Sequence, residues 1–166
     1  GGPPRRVRER APGHAGGLTR GARDPYRGAP TGRILAGMPI RALVVDDSTA
    51  MRTYVTAVLE STGDYEVEEV SNGFEALRRV PRGDFGLFVL DVNMPDINGI
   101  ELIRMLRHNP HHARTPILVM TTEVNLGDAE RARLVGASVV IAKPFTPEGL
   151  LDAIAQARRT TAGGAA

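Results

Sequence analysis

From residue 40 onward the apolar positions follow two rhythms. Short apolar runs at Ile40-Arg41-Ala42-Leu43-Val44-Val45, Phe85-Gly86-Leu87-Phe88-Val89-Leu90, Pro116 to Met120 and Val139-Val140-Ile141-Ala142 read as strands, and Tyr65 to Val70 as a shorter, alternating one. The run at 85–90 is nearly continuous, as expected of a strand covered on both faces. Between the runs, apolar residues recur at helical spacing. Met51, Val55, Val58 and Leu59 share one face of a helix that Ser48 or Thr49 can cap, that runs to about Thr62 and that Gly63 stops. Asn72-Gly73 turns the chain into a second helix, about 73–80, ended by Pro81. Further helices are predicted over roughly 99–108 (Ile100, Ile103, Leu106), near 126–135 up to Gly136, and from about Pro147 to Arg158 (Leu150, Leu151, Ile154). Strands alternating with helices in this way predict an α/β domain with a parallel sheet covered by helices on both faces. Short loops and right-handed crossovers favour a doubly wound sheet, in which ligands bind beyond the carboxyl ends of the strands.

Those ends carry the chemistry. The first strand runs into Asp46-Asp47, the third into Asp91, the fourth into Thr121 and the fifth into Lys143. Three carboxylates, a hydroxyl and an amine thus converge on one crevice. Clustered carboxylates raise one another's pKa or recruit a cation, and an all-oxygen set with open positions suits Mg²⁺. Lys143 is the only lysine among 21 basic residues, which fits a role needing a compact ammonium. The set matches phosphoryl transfer. Asp91 can act as nucleophile and form an acyl phosphate, with Mg²⁺ held by Asp47 and Asp91 and, through water, by Asp46. Thr121 and Lys143 then bond phosphoryl oxygens. Each residue alone has a plainer reading: a strand-end Asp caps a helix, and Lys-Pro sits on a surface. Only their conjunction at four strand ends points to a site.

Composition narrows the picture. The 166 residues are 42% hydrophobic and 24% charged, a globular mixture. With no cysteine, thiolate zinc sites and disulfides are excluded, and a reducing, cytoplasmic setting is expected. No apolar run is long enough to span a bilayer. The small net charge of +2 hides a basic 1–37 segment and a mildly acidic remainder. Rich in Gly, Pro and Arg and without periodicity, residues 1–37 are expected to be disordered. With Met38 as a natural start, they read better as translated upstream DNA than as a nucleic-acid or membrane arm. A folded unit over 38–160 and a flexible 161–166 complete the expected organisation. His108, His111 and His112 read as a solvated helix-to-strand loop rather than a metal site.

Val44-Val45-Asp46-Asp47-Ser48, Leu90-Asp91-Val92-Asn93-Met94-Pro95, Asn98-Gly99, Thr121, Gly136-Ala137 and Lys143-Pro144-Phe145 together closely resemble the bacterial response-regulator receiver domain, especially its single-domain chemotaxis (CheY-like) type. The resemblance covers about residues 40–158. It implies a flavodoxin-like strand order 2-1-3-4-5, an acidic metal pocket at Asp46 and Asp47, Asp91 as phosphoacceptor, the Asn93 backbone carbonyl as a further Mg²⁺ ligand, and Thr121 and Lys143 as switch hydroxyl and phosphate-pairing amine. Asn93 and Glu123 take positions that tune dephosphorylation in the family. Two departures stand out. Val140 replaces the family's switch aromatic, and Thr122 follows the switch hydroxyl where a small residue is common, which predicts a longer-lived phospho-form.

The implied function is a two-component signalling switch, either chemotaxis-type or a phosphorelay intermediate. A sensor histidine kinase or phosphotransfer protein would donate the phosphoryl group. A downstream protein would bind the face made by helix four, strand five and helix five. No nucleic acid or membrane partner is expected, and the chain is expected to be a monomer or weak homodimer. On this reading it is not an enzyme but a phosphoacceptor limited to its own phosphorylation and dephosphorylation. A haloacid-dehalogenase-type phosphatase also uses an Asp nucleophile, but that family wants Asp-x-Asp after the first strand, whereas Asp46 and Asp47 are adjacent. A phosphorylation-independent scaffold fits poorly with an intact acidic site.

Overall fold

The computed structural model describes Gly2, residues 37–122 and residues 126–162. The expectations for most of 1–37, for Glu123 and for 163–166 therefore lie outside the described residues. The elements run β1 (Ile40–Val45), α1 (Thr49–Glu60), β2 (Tyr65–Val70), α2 (Gly73–Arg79), a 3₁₀ turn (Val80–Arg82), β3 (Leu87–Asp91), α3 (Gly99–His108), β4 (Ile117–Thr121), α4 (Leu126–Leu134), β5 (Val139–Ala142) and α5 (Pro147–Ala162). The strands form one parallel sheet in the order β2-β1-β3-β4-β5, the flavodoxin-like arrangement expected.

The helix starts follow local chemistry. Ser48 accepts from the Met51 N–H, Asn72 from the Glu75 N–H at 2.9 Å and Asn98 from the Glu101 N–H at 2.9 Å, so each satisfies a donor that the first helical turn leaves open. Pro81 does not end α2 directly. The helix closes at Arg79 and the chain continues into the 3₁₀ turn, where a residue without N–H sits in the first positions at no cost. Nor does α5 stop near Arg158; it runs to Ala162, because no breaker precedes Gly163.

Alternation along the strands builds two cores. Ala42, Val44, Leu87, Val89, Leu118 and Met120 pack under α1 and α5 with Val55, Leu59, Leu150 and Ile154. Leu43, Val45, Phe88, Leu90, Ile117 and Val119 pack under α2, α3 and α4 with Ala76, Leu102, Ile103 and Ala132. Every residue of β3 and β4 is buried, which accounts for their unbroken apolar runs.

Candidate active site at the carboxyl ends of the strands

The same alternation decides which polar residues meet. Val44 lies on the α1/α5 face and Val45 on the other, so Asp46 returns to the α1/α5 face. The count from Val89 places Asp91 there, and the count from Ile141 places Lys143 there. The Lys143 Nζ donates to Asp46 Oδ2 at 2.7 Å and to Asp91 Oδ1 at 3.1 Å. Thr121 has the opposite parity, following Ile117 and Val119, and is buried at 2% exposure. Its carbonyl accepts the Lys143 N–H at 2.7 Å, which ties β4 to the start of the lysine loop.

Asp46 is fully buried and fully bonded. Its N–H donates to the Val70 carbonyl at 3.3 Å, Oδ1 accepts the Ser48 N–H at 2.8 Å, and Oδ2 accepts Lys143. Asp47, one residue on, is exposed. The far wall depends on Gly99, whose N–H donates to the Val92 carbonyl at 3.1 Å. A Cβ there would overlap the Asp91 carbonyl oxygen and lie 2.9 Å from Val92 Cα, so α3 begins against the end of β3 only because this residue has no side chain.

Asp46, Asp47 and Asp91 each offer an oxygen within 4.8 Å of the others. Burial pushes the Asp91 carboxyl above its usual range, the charges of Asp46 and Asp47 push it the same way, and Lys143 pulls it back only in part. Burial pulls the Lys143 amine down, but hydrogen bonds and charge from Asp46 and Asp91 outweigh it, so its pKa rises. Three carboxylates against one ammonium leave the charge of one divalent cation uncompensated. The hard oxygen donors and the open face at Asp47 fit such an ion.

The family model for the response regulator receiver domain matches residues 42–155. The chain belongs to this family. The receiver domain of this chain is similar to the chemotaxis protein CheY1 of Helicobacter pylori, 33% identical over 114 residues that make up 68% of this chain and 92% of that protein. Its structure resembles the chemotaxis response regulator CheY4 of Vibrio cholerae, with a TM-score of 0.68 and 35% identity over 72% of this chain and 99% of that one. It also resembles the receiver domain of the sensor histidine kinase PA1611 of Pseudomonas aeruginosa, a structure with a magnesium ion coordinated in its active-site cleft; the TM-score is 0.66, with 27% identity over 75% of this chain and 99% of that one. As a receiver domain, the chain serves in signal transduction.

The expectation that the chain is not an enzyme is corrected by the acidic cluster. Asp46, Asp47 and Asp91 form the kind of centre at which a receiver domain itself catalyses phosphoryl transfer, so the domain is catalytic toward its own phosphorylation and dephosphorylation. Among the described residues no helix is long and apolar enough to cross a membrane.

The reading of a solvated histidine loop is also corrected in part. His112 is buried, edge-on to the Phe88 ring at 5.0 Å between centroids, with Nδ1 3.2 Å from Thr115 Oγ1. The apolar pattern carries no sign of this, because residues 110–115 double back without a period. Around the site itself, the sequence pattern does not single out Arg52 and Tyr54, which the structure places against its backbone. Arg52 Nη1 donates to the Asp46 carbonyl at 2.7 Å, and the Tyr54 hydroxyl donates to the Phe145 carbonyl at 3.1 Å. Their place one turn into the helix that follows Asp46-Asp47 is the available signal. Asn93 and Thr122 are exposed beside the cluster, with Asn93 Nδ2 3.5 Å from Thr122 Oγ1.

Proposed function

We propose that Asp91 is the phosphoacceptor of a two-component response regulator, that Asp46, Asp47, Asp91 and the Asn93 backbone carbonyl hold Mg²⁺, and that Thr121 and Lys143 bind the incoming phosphoryl group. The observation that carries this reading is the Lys143 amine bridging two buried carboxylates while a third stays open to solvent. An Asp91 oxygen attacks phosphorus as the bond to the donor's nitrogen or oxygen breaks, leaving an acyl phosphate. The cation, when bound, offsets charge on the transferring group. Lys143 already touches both carboxylates and needs only to exchange one partner for a phosphoryl oxygen. Thr121 approaches from the opposite face of the sheet, so the two residues grip the group from both sides.

The family supports a sensor histidine kinase or phosphotransfer protein as donor. The face of α4, β5 and α5 is the proposed surface for a downstream protein. Val140 lies on that sheet edge, on the same face as Thr121, and packs against the α2–α4 core. Without a ring to swing, it confines switching there to small shifts of aliphatic packing. The proposed unit is residues 38–160, acting in the cytoplasm in a chemotaxis-type pathway or a phosphorelay.

Incubation with acetyl phosphate and Mg²⁺, or with beryllofluoride and Mg²⁺, tests the assignment. With acetyl phosphate, one alkali- and hydroxylamine-labile phosphoryl group per chain is expected, and with beryllofluoride one phosphoryl-mimicking adduct per chain, each absent in Asp91→Ala and without Mg²⁺. Undiminished labelling of Asp91→Ala would overturn the choice of acceptor.

A further inference from the structure

The Arg52 side chain lies behind the acidic pocket and is only 14% exposed. One guanidinium spans three groups: Nη1 donates to the Asp46 carbonyl at 2.7 Å, Nη2 donates to Thr49 Oγ1 at 3.1 Å, and Nε lies 3.3 Å from Glu69 Oε2. Glu69 is itself held by α1, because the Thr56 hydroxyl donates to its Oε1 at 2.7 Å. The guanidinium therefore joins the end of β1, the first turn of α1 and the end of β2. Its shortest bond falls on the peptide that links Asp46 to Asp47. On its other side, the Asp46 N–H is fixed to Val70. The Asp46 carboxylate is held by Ser48 and Lys143, but among the described residues nothing anchors the exposed Asp47 carboxylate in a comparable way. Its position depends on the backbone that Arg52 grips.

We infer that Arg52 is a positioning residue for the cation site: by fixing the Asp46–Asp47 peptide, it aims the Asp47 carboxylate at the ion shared with Asp91. This rests on the proposed Mg²⁺ site. Charge alone argues the other way. A guanidinium near a cation site repels the cation, so its removal by electrostatics should tighten binding. Removing Arg52 also uncovers the Glu69 carboxylate that it pairs at 3.3 Å, so weaker Mg²⁺ binding in the variant can come only from lost geometry. The two effects have opposite signs, so a binding measurement separates them.

The test is Mg²⁺ titration by calorimetry on the full chain, alongside phosphorylation by acetyl phosphate over a range of Mg²⁺. Arg52→Met should weaken Mg²⁺ binding by about ten- to a hundredfold, the range typical when a residue that orients a metal ligand is lost. Saturating Mg²⁺ should recover most of the phosphorylation rate, a split that general destabilisation does not produce. Arg52→Lys keeps the charge but not the fork, so it cannot hold the Asp46 carbonyl, Thr49 and Glu69 together; a loss of roughly threefold or more is expected. This variant serves if Arg52→Met does not fold. Mg²⁺ affinity equal to or tighter than wild type in either folded variant would overturn the role of Arg52. Failure of the wild-type chain to bind Mg²⁺ would instead overturn the site on which the role depends.

Discussion

The two ends of the β-sheet both bury charge, and they do so to opposite effect. At the carboxyl end, Lys143 bonds both Asp46 and Asp91, and an exposed third carboxylate leaves negative charge in excess. At the amino end, Arg107 reaches in from α3. Its Nε donates to the Gly136 carbonyl at 2.9 Å, and its Nη1 donates to the His112 and Thr115 carbonyls at 2.8 and 2.7 Å. Burial lowers the Arg107 pKa, yet backbone oxygens close its bonds. Gly136 makes room: it sits at φ +114°, and a Cβ there would meet Arg107 Cγ at 2.8 Å. Buried charge alone therefore does not mark a functional site. Charge bonded to neutral backbone is finished, whereas charge bonded to charge with a valence to spare can take a ligand.

That contrast is most directly tested by removing one group from each end, the half-buried Arg107 and the buried Asp91. Arg107→Met should destabilise the fold by about 3 kcal/mol, because three backbone carbonyls lose their donor at about 1 kcal/mol or more each. Its folded fraction should still label with acetyl phosphate at the wild-type rate. Asp91→Ala should do the reverse, with no labelling and a denaturant midpoint no lower than wild type, since burial already disfavours the Asp91 charge. Equal loss of stability in both variants in urea would erase the distinction between the two ends.

His112 offers a smaller effect at the same end. Burial lowers its pKa; His111 and Arg107 add to the shift, and a bond to the Val80 backbone and the charge of Asp84 oppose it. The folded state thus holds His112 neutral more firmly than the unfolded state does. The sign follows: stability is fully present above the unfolded pKa near 6.5 and is lost as pH falls from there toward the lower folded value. One proton gives a slope of at most about 1.4 kcal/mol per pH unit. Urea midpoints between pH 7.5 and pH 5 should fall in the wild type and flatten in His112→Gln. An unchanged slope in that variant would mean that another group carries the titration.

How much the sequence reveals depends on the range of the forces involved. Strand identity, sheet direction and the meeting of Asp46, Asp91 and Lys143 are legible because each rests on a period of two and an abrupt polar residue at its end. β5 is read to the residue for that reason. What is not legible depends on pairs far apart in the chain or on local turns without a period. Arg107 meets Gly136 across 29 positions, and His112 reaches Phe88 through a turn that has no apolar rhythm. Arg52 looks like any helix-surface arginine until β2 brings Glu69 beside it. The end of α5 is a different failure: Thr160 and Thr161 give no apolar cue, but their hydroxyls bond back to carbonyls of the preceding turn and the helix continues.

The smallest effect concerns the rim of the site. Thr122 stands where a smaller side chain is common in the family, and its Oγ1 lies 3.5 Å from Asn93 Nδ2. Both residues are exposed, so the bridge is weak as a source of stability. Its consequence is steric. Asn93 follows Asp91 by two positions and Thr122 follows Thr121, so on the proposed acceptor site the pair flanks Asp91, where added bulk would slow the approach of water to an acyl phosphate. Truncation to alanine removes the hydroxyl that Asn93 meets and the methyl beside it. Thr122→Ala should hydrolyse the acyl phosphate roughly threefold faster, equivalent to about 0.6 kcal/mol off the barrier. Thr122→Ser keeps the hydroxyl and should fall between the two. Both are read from loss of label after the donor is removed, with thermal stability unchanged because neither residue is buried. If Thr122→Ala kept the wild-type lifetime, Thr122 would not set the rate of hydrolysis, and groups deeper in the pocket, Lys143 and Thr121 first among them, would be the next to test.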